Sequence, residues 1–258
     1  MDKKVFLEAI QAVKTLSKRK FKQTYEFIIN LRNLDLKKPE EQIELWVQLP
    51  HDRGKPTKIG AFVGPELADQ AKANCDLVIL YDQFSRYAAN KKEIKKLASS
   101  YEYFIAQINI MPDVAKTFGR FFGPRGKMPN PKAGCVVPPN TNLKVLAERL
   151  RKTIKLSAKL QPSIKAMVGK EDAPDEQIAE NMMTIYTNVL HKLPQETYNI
   201  KSVLLKLTMS PPVKIKEKGI EKPVIPEAAP AKAPKKRKAK EASPKESSGK
   251  SPEKAGEA

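Results

Sequence analysis

The hydrophobic rhythm changes twice along this chain, and nothing else in the sequence constrains the fold as strongly. Residues 4–17 place Val5, Leu7, Ala9, Ile10, Val13 and Leu16 at mostly helical spacing. Residues 23–31 then alternate, with Tyr25, Phe27, Ile29 and Leu31 on one side and Glu26, Ile28 and Asn30 on the other, which predicts a strand. Residues 42–49 alternate again through Ile43, Leu45, Val47 and Leu49. From Lys58 the pattern becomes short apolar runs, at 58–63, 76–81 and 101–110, separated by helical stretches at 65–73 and 91–99. Buried strands alternating with helices predict βαβ units and a largely parallel, three-layer sheet. A helix over 142–153 carries Leu143, Leu146, Ala147 and Leu150 on one face. After about residue 155 the first rhythm returns. A strand is predicted at 163–168, a helix at 175–190 with Ile178, Met182, Ile185, Tyr186 and Val189 in one stripe, and a strand at 200–209.

The simplest architecture is an α+β domain built from both ends of the chain, with an α/β domain inserted into it. The expected division is 1–59 with 156–216, then 60–155, with crossings near 57–60 and 154–157. The last stretch, 217–258, holds six prolines, no aromatic residue, eleven basic and seven acidic residues. It has too little apolar surface to offset the entropy of ordering and reads as a disordered basic tail. Its run Lys235-Lys236-Arg237-Lys238 has the composition of a nuclear address or a phosphate-binding segment, or of a nonspecific basic extension.

Charge narrows the class of partner. Lys plus Arg is 48 against 29 for Asp plus Glu, a formal net charge of +19. The tail accounts for only +4 of this, so the main basic surface belongs to the folded part. Such an excess points to a polyanion, most commonly nucleic acid. No apolar run is long enough to span a bilayer, and the N-terminus leads into an amphipathic stretch, so neither a membrane nor secretion is expected. The two cysteines, Cys75 and Cys135, make no disulfide framework and read as reduced thiols of a cytosolic protein.

Catalytic signatures fail one by one. The Gly-rich segment Gly119 to Lys127 lacks a P-loop's first glycine, where Phe121 stands, and its Ser or Thr, where Met128 stands. Read as a loop over 119–135, it still offers Arg120, Arg125, Lys127 and Lys132 among Gly, Pro and Asn, a setting for phosphate, RNA or tRNA contact or for a rigid, solvated surface loop. His51 and His191 have no partner at ligand spacing, and the carboxylate pairs Glu40-Glu41 and Glu171-Asp172 sit beside lysines, so neither metal, cofactor nor enzymatic chemistry is expected.

Four blocks in order carry a family likeness: Lys20-Phe21-x-x-Thr24-x-Glu26; Leu49-Pro50-His51-x-Arg53-Gly54-Lys55; the string from Gly123 through Pro-Arg-Gly-Lys-Met-Pro-Asn-Pro-Lys-Ala to Gly134; and Lys206-Leu-Thr-Met209. Over residues 1 to about 216 the chain resembles the ribosomal protein L-one family, the stalk proteins of the large ribosomal subunit, in an archaeal or eukaryote-like form with an added tail. The resemblance implies a split ferredoxin-like domain holding both ends and an inserted Rossmann-like domain. It implies binding of large-subunit rRNA in the cytoplasm, a mobile stalk that follows deacylated tRNA out of the exit site, and, in some members, repression of their own mRNA. Carried onto this chain, the rRNA surface is Lys20, Phe21, Thr24, Glu26, Gly169, Thr208, Met209 and Ser210. The family usually has Gly where Ser210 stands, so a hydroxyl offered to a ribose 2′-OH would replace a close backbone approach. Taken alone, Phe21 reads as core, and Thr24 and Glu26 as the solvent face of a strand. The rival functions are a translational repressor acting mainly off the ribosome and a nucleotide-binding α/β enzyme, the latter supported by the βαβ block alone.

Overall fold

Two sheets with different partners organise the protein. The computed structural model describes residues 2–16, 19–38, 41–216 and 219–221. In chain order the elements are α1 (Lys3–Leu16), β1 (Thr24–Leu31), β2 (Ile43–Gln48), β3 (Ile59–Val63), α2 (Ala68–Asn74), β4 (Leu77–Leu80), α3 (Phe84–Ala89), α4 (Lys91–Ser100), β5 (Tyr103–Gln107), α5 (Met111–Phe122), β6 (Val136–Val137), α6 (Leu143–Lys152), β7 (Thr153–Ala158), β8 (Ser163–Lys170), α7 (Asp175–Lys192), β9 (Ile200–Leu207), β10 (Val213–Lys216) and β11 (Gly219–Glu221). The fold is mixed α/β, with one parallel and two antiparallel sheets.

The five-stranded antiparallel sheet runs β11-β10-β9-β1-β8. Strict alternation in β1 buries Tyr25, Phe27, Ile29 and Leu31 and leaves Thr24, Glu26, Ile28 and Asn30 half-exposed. The buried side packs against α1 and α7. Phe6 anchors that layer, with its ring 6.1 Å from Phe27 and 6.3 Å from Tyr186. The spacing argument passed over Phe6 in favour of Val5 and Leu7, which are only partly buried. Among the described residues no helix covers the opposite side of the sheet, and its outward groups in β1 are half-exposed.

The four-stranded sheet is parallel, in the order β4-β3-β5-β6, and is covered on both faces. In β3, Ile59, Ala61 and Val63 face α2 and α6, while Phe62 faces α3, α4 and α5. β2 and β7 pair antiparallel, from Ile43↔Ala158 to Gln48↔Thr153, and their apolar residues join the core under the five-stranded sheet.

Several sequence expectations need correction. The segment 154–157, expected to hold a crossing and given no element of its own, lies within β7, because Ile154, Leu156 and Ala158 alternate inward. Residues 111–122 form α5, so Gly119, Arg120 and Phe121 lie on a helix and not in the expected 119–135 loop. Val114, Phe118 and Phe122 are its buried stripe. The expected tail boundary at 217 shifts too, since Gly219–Glu221 pairs with β10 and Glu221 takes Lys216 at 3.0 Å. Residues 222–258, including Lys235–Lys238, lie outside the described residues.

Candidate functional site

One end of the five-stranded sheet gathers three chain segments. Thr24 opens β1, and its N–H donates to Thr208 Oγ1 while Thr208 Oγ1 donates to the Thr24 carbonyl, both at 3.3 Å. Gln23, fully buried, holds the other two segments. Its N–H donates to Glu171 Oε2 (3.1 Å), its carbonyl accepts from the Glu171 N–H (2.9 Å), and its Oε1 accepts from the Met209 N–H (3.1 Å). Lys22 pairs with Asp172 at 2.7 Å across the same seam. The turns at 20–24, 169–172 and 207–210 are therefore one construction, tied by backbone hydrogen bonds.

Two large apolar side chains stand out from this polar end. Phe21 is 51% exposed and Met209 59% exposed. The core reading of Phe21 is therefore wrong: the residue lies beyond the start of β1, outside the alternation that would have turned it inward. Lys20 is exposed beside it. Gly169 and Ser210 sit underneath. Gly169 is buried, and a Cβ there would stand 3.2 Å from Ile178 of α7, so the glycine serves helix–sheet contact. Ser210 is 8% exposed, and its hydroxyl accepts the Leu207 N–H at 2.8 Å while facing the Leu207 and Pro211 carbonyls at 3.4 and 3.3 Å. That hydroxyl closes the 207–210 turn and is not offered outward, contrary to the 2′-OH contact expected of it.

From this end the uncovered face continues down the sheet. Glu26 pairs with Lys206 at 2.9 Å, and Asn30 Nδ2 donates to Ser202 Oγ at 3.0 Å. The register sets Met167 opposite Glu26 and Lys165 opposite Ile28 on the other flank. Gln23, Lys165, Met167 and the Asn30–Ser202 pair were passed over in the sequence, and Glu171 was read only as one of a carboxylate pair beside lysines. Lys165 and Met167 could have been found from the alternation of 163–168, whereas Gln23 and Glu171 carry no local signal.

The four cations of the 119–135 segment do not form one patch with that end. Arg120 is exposed on α5 and Lys132 is exposed in a short turn after Asn130. Arg125 Nη1 donates to the Lys95 carbonyl (2.9 Å) and to Ser99 Oγ (2.7 Å), tying the segment to the end of α4. Lys127 turns inward, its Nζ donating to the Glu102 carbonyl at 3.2 Å. Glu102 directly precedes β5 of the parallel sheet. Its carboxylate takes Arg53 Nη2 at 3.2 Å and Lys55 Nζ at 2.8 Å. Burial pushes its pKa up, but these two cations outweigh that and hold it below the usual carboxylate value.

His51 Nε2 lies 2.6 Å from Glu180 Oε2, an ordinary ion-pair geometry on a half-exposed surface. Burial raises the Cys75 and Cys135 thiols to about 11, so both stay protonated and unreactive at neutral pH. Among the described residues, no three His, Cys, Asp or Glu are placed to hold a metal, and no helix is long and apolar enough to cross a membrane.

Fold and site together define a mixed α/β protein that presents a polar sheet face with apolar tips. The family is identified by comparison: the model of the ribosomal protein L1p/L10e family matches residues 13–211, and this chain belongs to that family. The protein named large ribosomal subunit protein uL1 in Methanocaldococcus jannaschii is 39% identical over 223 residues, covering 86% of this chain and all of that one. Its namesakes in Methanothermococcus thermolithotrophicus and Archaeoglobus fulgidus are 41% and 40% identical, over 84% and 83% of this chain and 100% and 99% of their own lengths. The chain is accordingly a structural ribosomal protein and not an enzyme.

Proposed function

We propose that this protein, a component of the large subunit of cytoplasmic ribosomes, binds large-subunit rRNA with the uncovered face and turn-rich end of its five-stranded sheet, and so forms a mobile stalk that assists release of deacylated tRNA from the exit site. The carrying observation is the pair of exposed apolar tips, Phe21 and Met209, held on a polar end by the Gln23 and Thr24–Thr208 hydrogen bonds. An exposed aromatic ring and a thioether give sequence-tolerant contact to bases and sugars, while the threonines, Glu26 and Asn30 suit ribose 2′-hydroxyls in a shallow minor groove. Lys20, Lys165 and Lys206 supply affinity by counterion release.

In this reading residues 1–59 with 156–216 form the rRNA-binding domain, a split ferredoxin-like arrangement of α1, β1, β8, α7 and β9. Residues 60–155 form the inserted Rossmann-like domain, which carries the tRNA side of the stalk with Arg120 and Lys132. An mRNA that presents the same fold as the rRNA competes for the same face, which is how repression of its own message would arise. Hydroxyl-radical footprinting on intact large subunits tests the assignment. Protection of one compact rRNA region, lost when Phe21 and Met209 are both changed to Ala, is the expected result; protection unaffected by that pair of changes refutes it.

A further inference from the structure

A second cluster of charge lies beside the uncovered face, in a cavity of about 320 Å³. Four cations line it from four places in the chain: Arg53 from the stretch before β3, Lys127 from the turn after α5, Lys155 on β7 and Lys165 on β8. Two carboxylates serve this neighbourhood. Glu102 takes Arg53 and Lys55, and Glu44 takes Lys155 and Lys159 at 2.9 and 2.8 Å. The six cations therefore outnumber the two carboxylates, and Lys127 reaches a backbone carbonyl rather than a carboxylate.

The backbone is bent to bring these charges together. Gly126 has φ +62°, a conformation that favours glycine, and a Cβ there would lie 3.2 Å from Lys155 Nζ. The turn thus sets Lys127 next to a second ammonium. The Lys127 pKa is pressed below the ordinary lysine value, first by burial, then by Lys55, Lys155 and Arg125, with Glu102 offsetting only part. Arg53 is 8% exposed, and its Nε is buried with no acceptor among the described residues. Glu102 and Glu44 offset only part of this crowding, a pattern expected of a site that waits for an anion.

The position says which anion. Lys165 and Met167, which line the cavity, also belong to the uncovered face, opposite Ile28 and Glu26 of β1. A strand of RNA on that face passes the cavity mouth with its backbone. We infer that the cavity among Arg53, Lys127, Lys155 and Lys165 is a phosphate site, taking one backbone phosphodiester of the RNA held on the sheet. The inference rests on the reading of that face as the RNA interface, and it adds a contact from the turn after α5 to those made by the antiparallel sheet.

The test uses the full chain and two probes. The first is the footprinted rRNA fragment, bound by wild type, Lys127→Gln, Lys165→Gln, the double variant and, as a control, Lys72→Gln on α2. Each cavity substitution is expected to weaken binding about threefold to tenfold near physiological salt and to lower the slope of log affinity against log salt by about 0.7–0.9, with the control unchanged. Lys127→Gln should leave the melting temperature unchanged or raise it, which separates lost contact from lost fold. The second probe is inorganic phosphate at constant ionic strength, followed by the side-chain ¹⁵N resonance of Lys127, which should shift saturably. Wild-type RNA binding with an unaltered salt slope in the double variant overturns the proposal, as does a Lys127 resonance that phosphate leaves unmoved. If wild type ignores the RNA while phosphate saturates Lys127, the sheet-face reading fails and the anion site stands.

Discussion

The parallel sheet and the five-stranded antiparallel sheet are built from similar residues but treated oppositely by their surroundings. Helices cover both faces of the parallel sheet, so in β3 every residue from Ile59 to Val63 is buried. The antiparallel sheet has α1 and α7 on one face only, and each strand must answer to two environments. Thr24, Glu26, Ile28 and Asn30 are placed by the same alternation that buries Tyr25, Phe27, Ile29 and Leu31. The core therefore fixes the exposed row: a one-residue slip in β1 would turn it inward. Where a sheet is half covered, packing and recognition are two readings of one strand.

That contrast can be broken at its stiffest point. Phe62 is fully buried in the covered sheet, its ring 4.7 Å from Phe118 and 5.5 Å from Phe104. Phe62→Ala should cost about 3–5 kcal/mol of stability in urea titrations, through lost transfer energy and a cavity. On the open sheet the ranking inverts. Phe21→Ala and Met209→Ala should each leave stability within about 0.5 kcal/mol, since both side chains are exposed, yet weaken rRNA binding by about 1–3 kcal/mol in filter-binding assays. Ser210→Ala tests the boundary between the two behaviours. It orphans the buried Leu207 N–H and should lower stability by about 1 kcal/mol; if binding falls while stability holds, Ser210 belongs to the interface after all.

The smallest effect is a pH dependence. Glu102 has a folded-state pKa below its unfolded value of 4.5, so its contribution is present above that value and is lost as pH falls through the lower folded one. Glu102→Gln should flatten the acid limb of a stability–pH curve between roughly pH 5 and 3 relative to wild type, and leave the curve's shape above pH 6 unaltered.

Elements with an unbroken period could be read from the sequence. β1, β3, α7 and β9 appear where their patterns put them, because one residue type per face suffices to mark them. α5 escaped because Pro112, Gly119 and Gly123 look like loop residues, yet the Val114, Phe118, Phe122 stripe outweighs them once a sheet is there to receive it. β7 escaped because it follows α6 with no residue between, so no turn announces the change of period. The site divides in the same way. Thr24 and Glu26 follow from the alternation of β1 and Thr208 came from the family likeness, whereas the inward turn of Ser210 and the hub at Gln23 depend on partners 3 to 186 residues away.

The β2–β7 pair has a mechanical consequence. The chain leaves toward the parallel sheet from β2 and comes back directly into β7, so both passages are laced together over six residue pairs. A single strand swivels about its own backbone bonds in any direction. A two-stranded ribbon is stiff to twist and to in-plane bending, because either motion shears its hydrogen-bond ladder, and compliant only across its thin dimension. In the proposed two-domain reading, such a ribbon would confine motion of residues 60–155 to a swing about one soft axis.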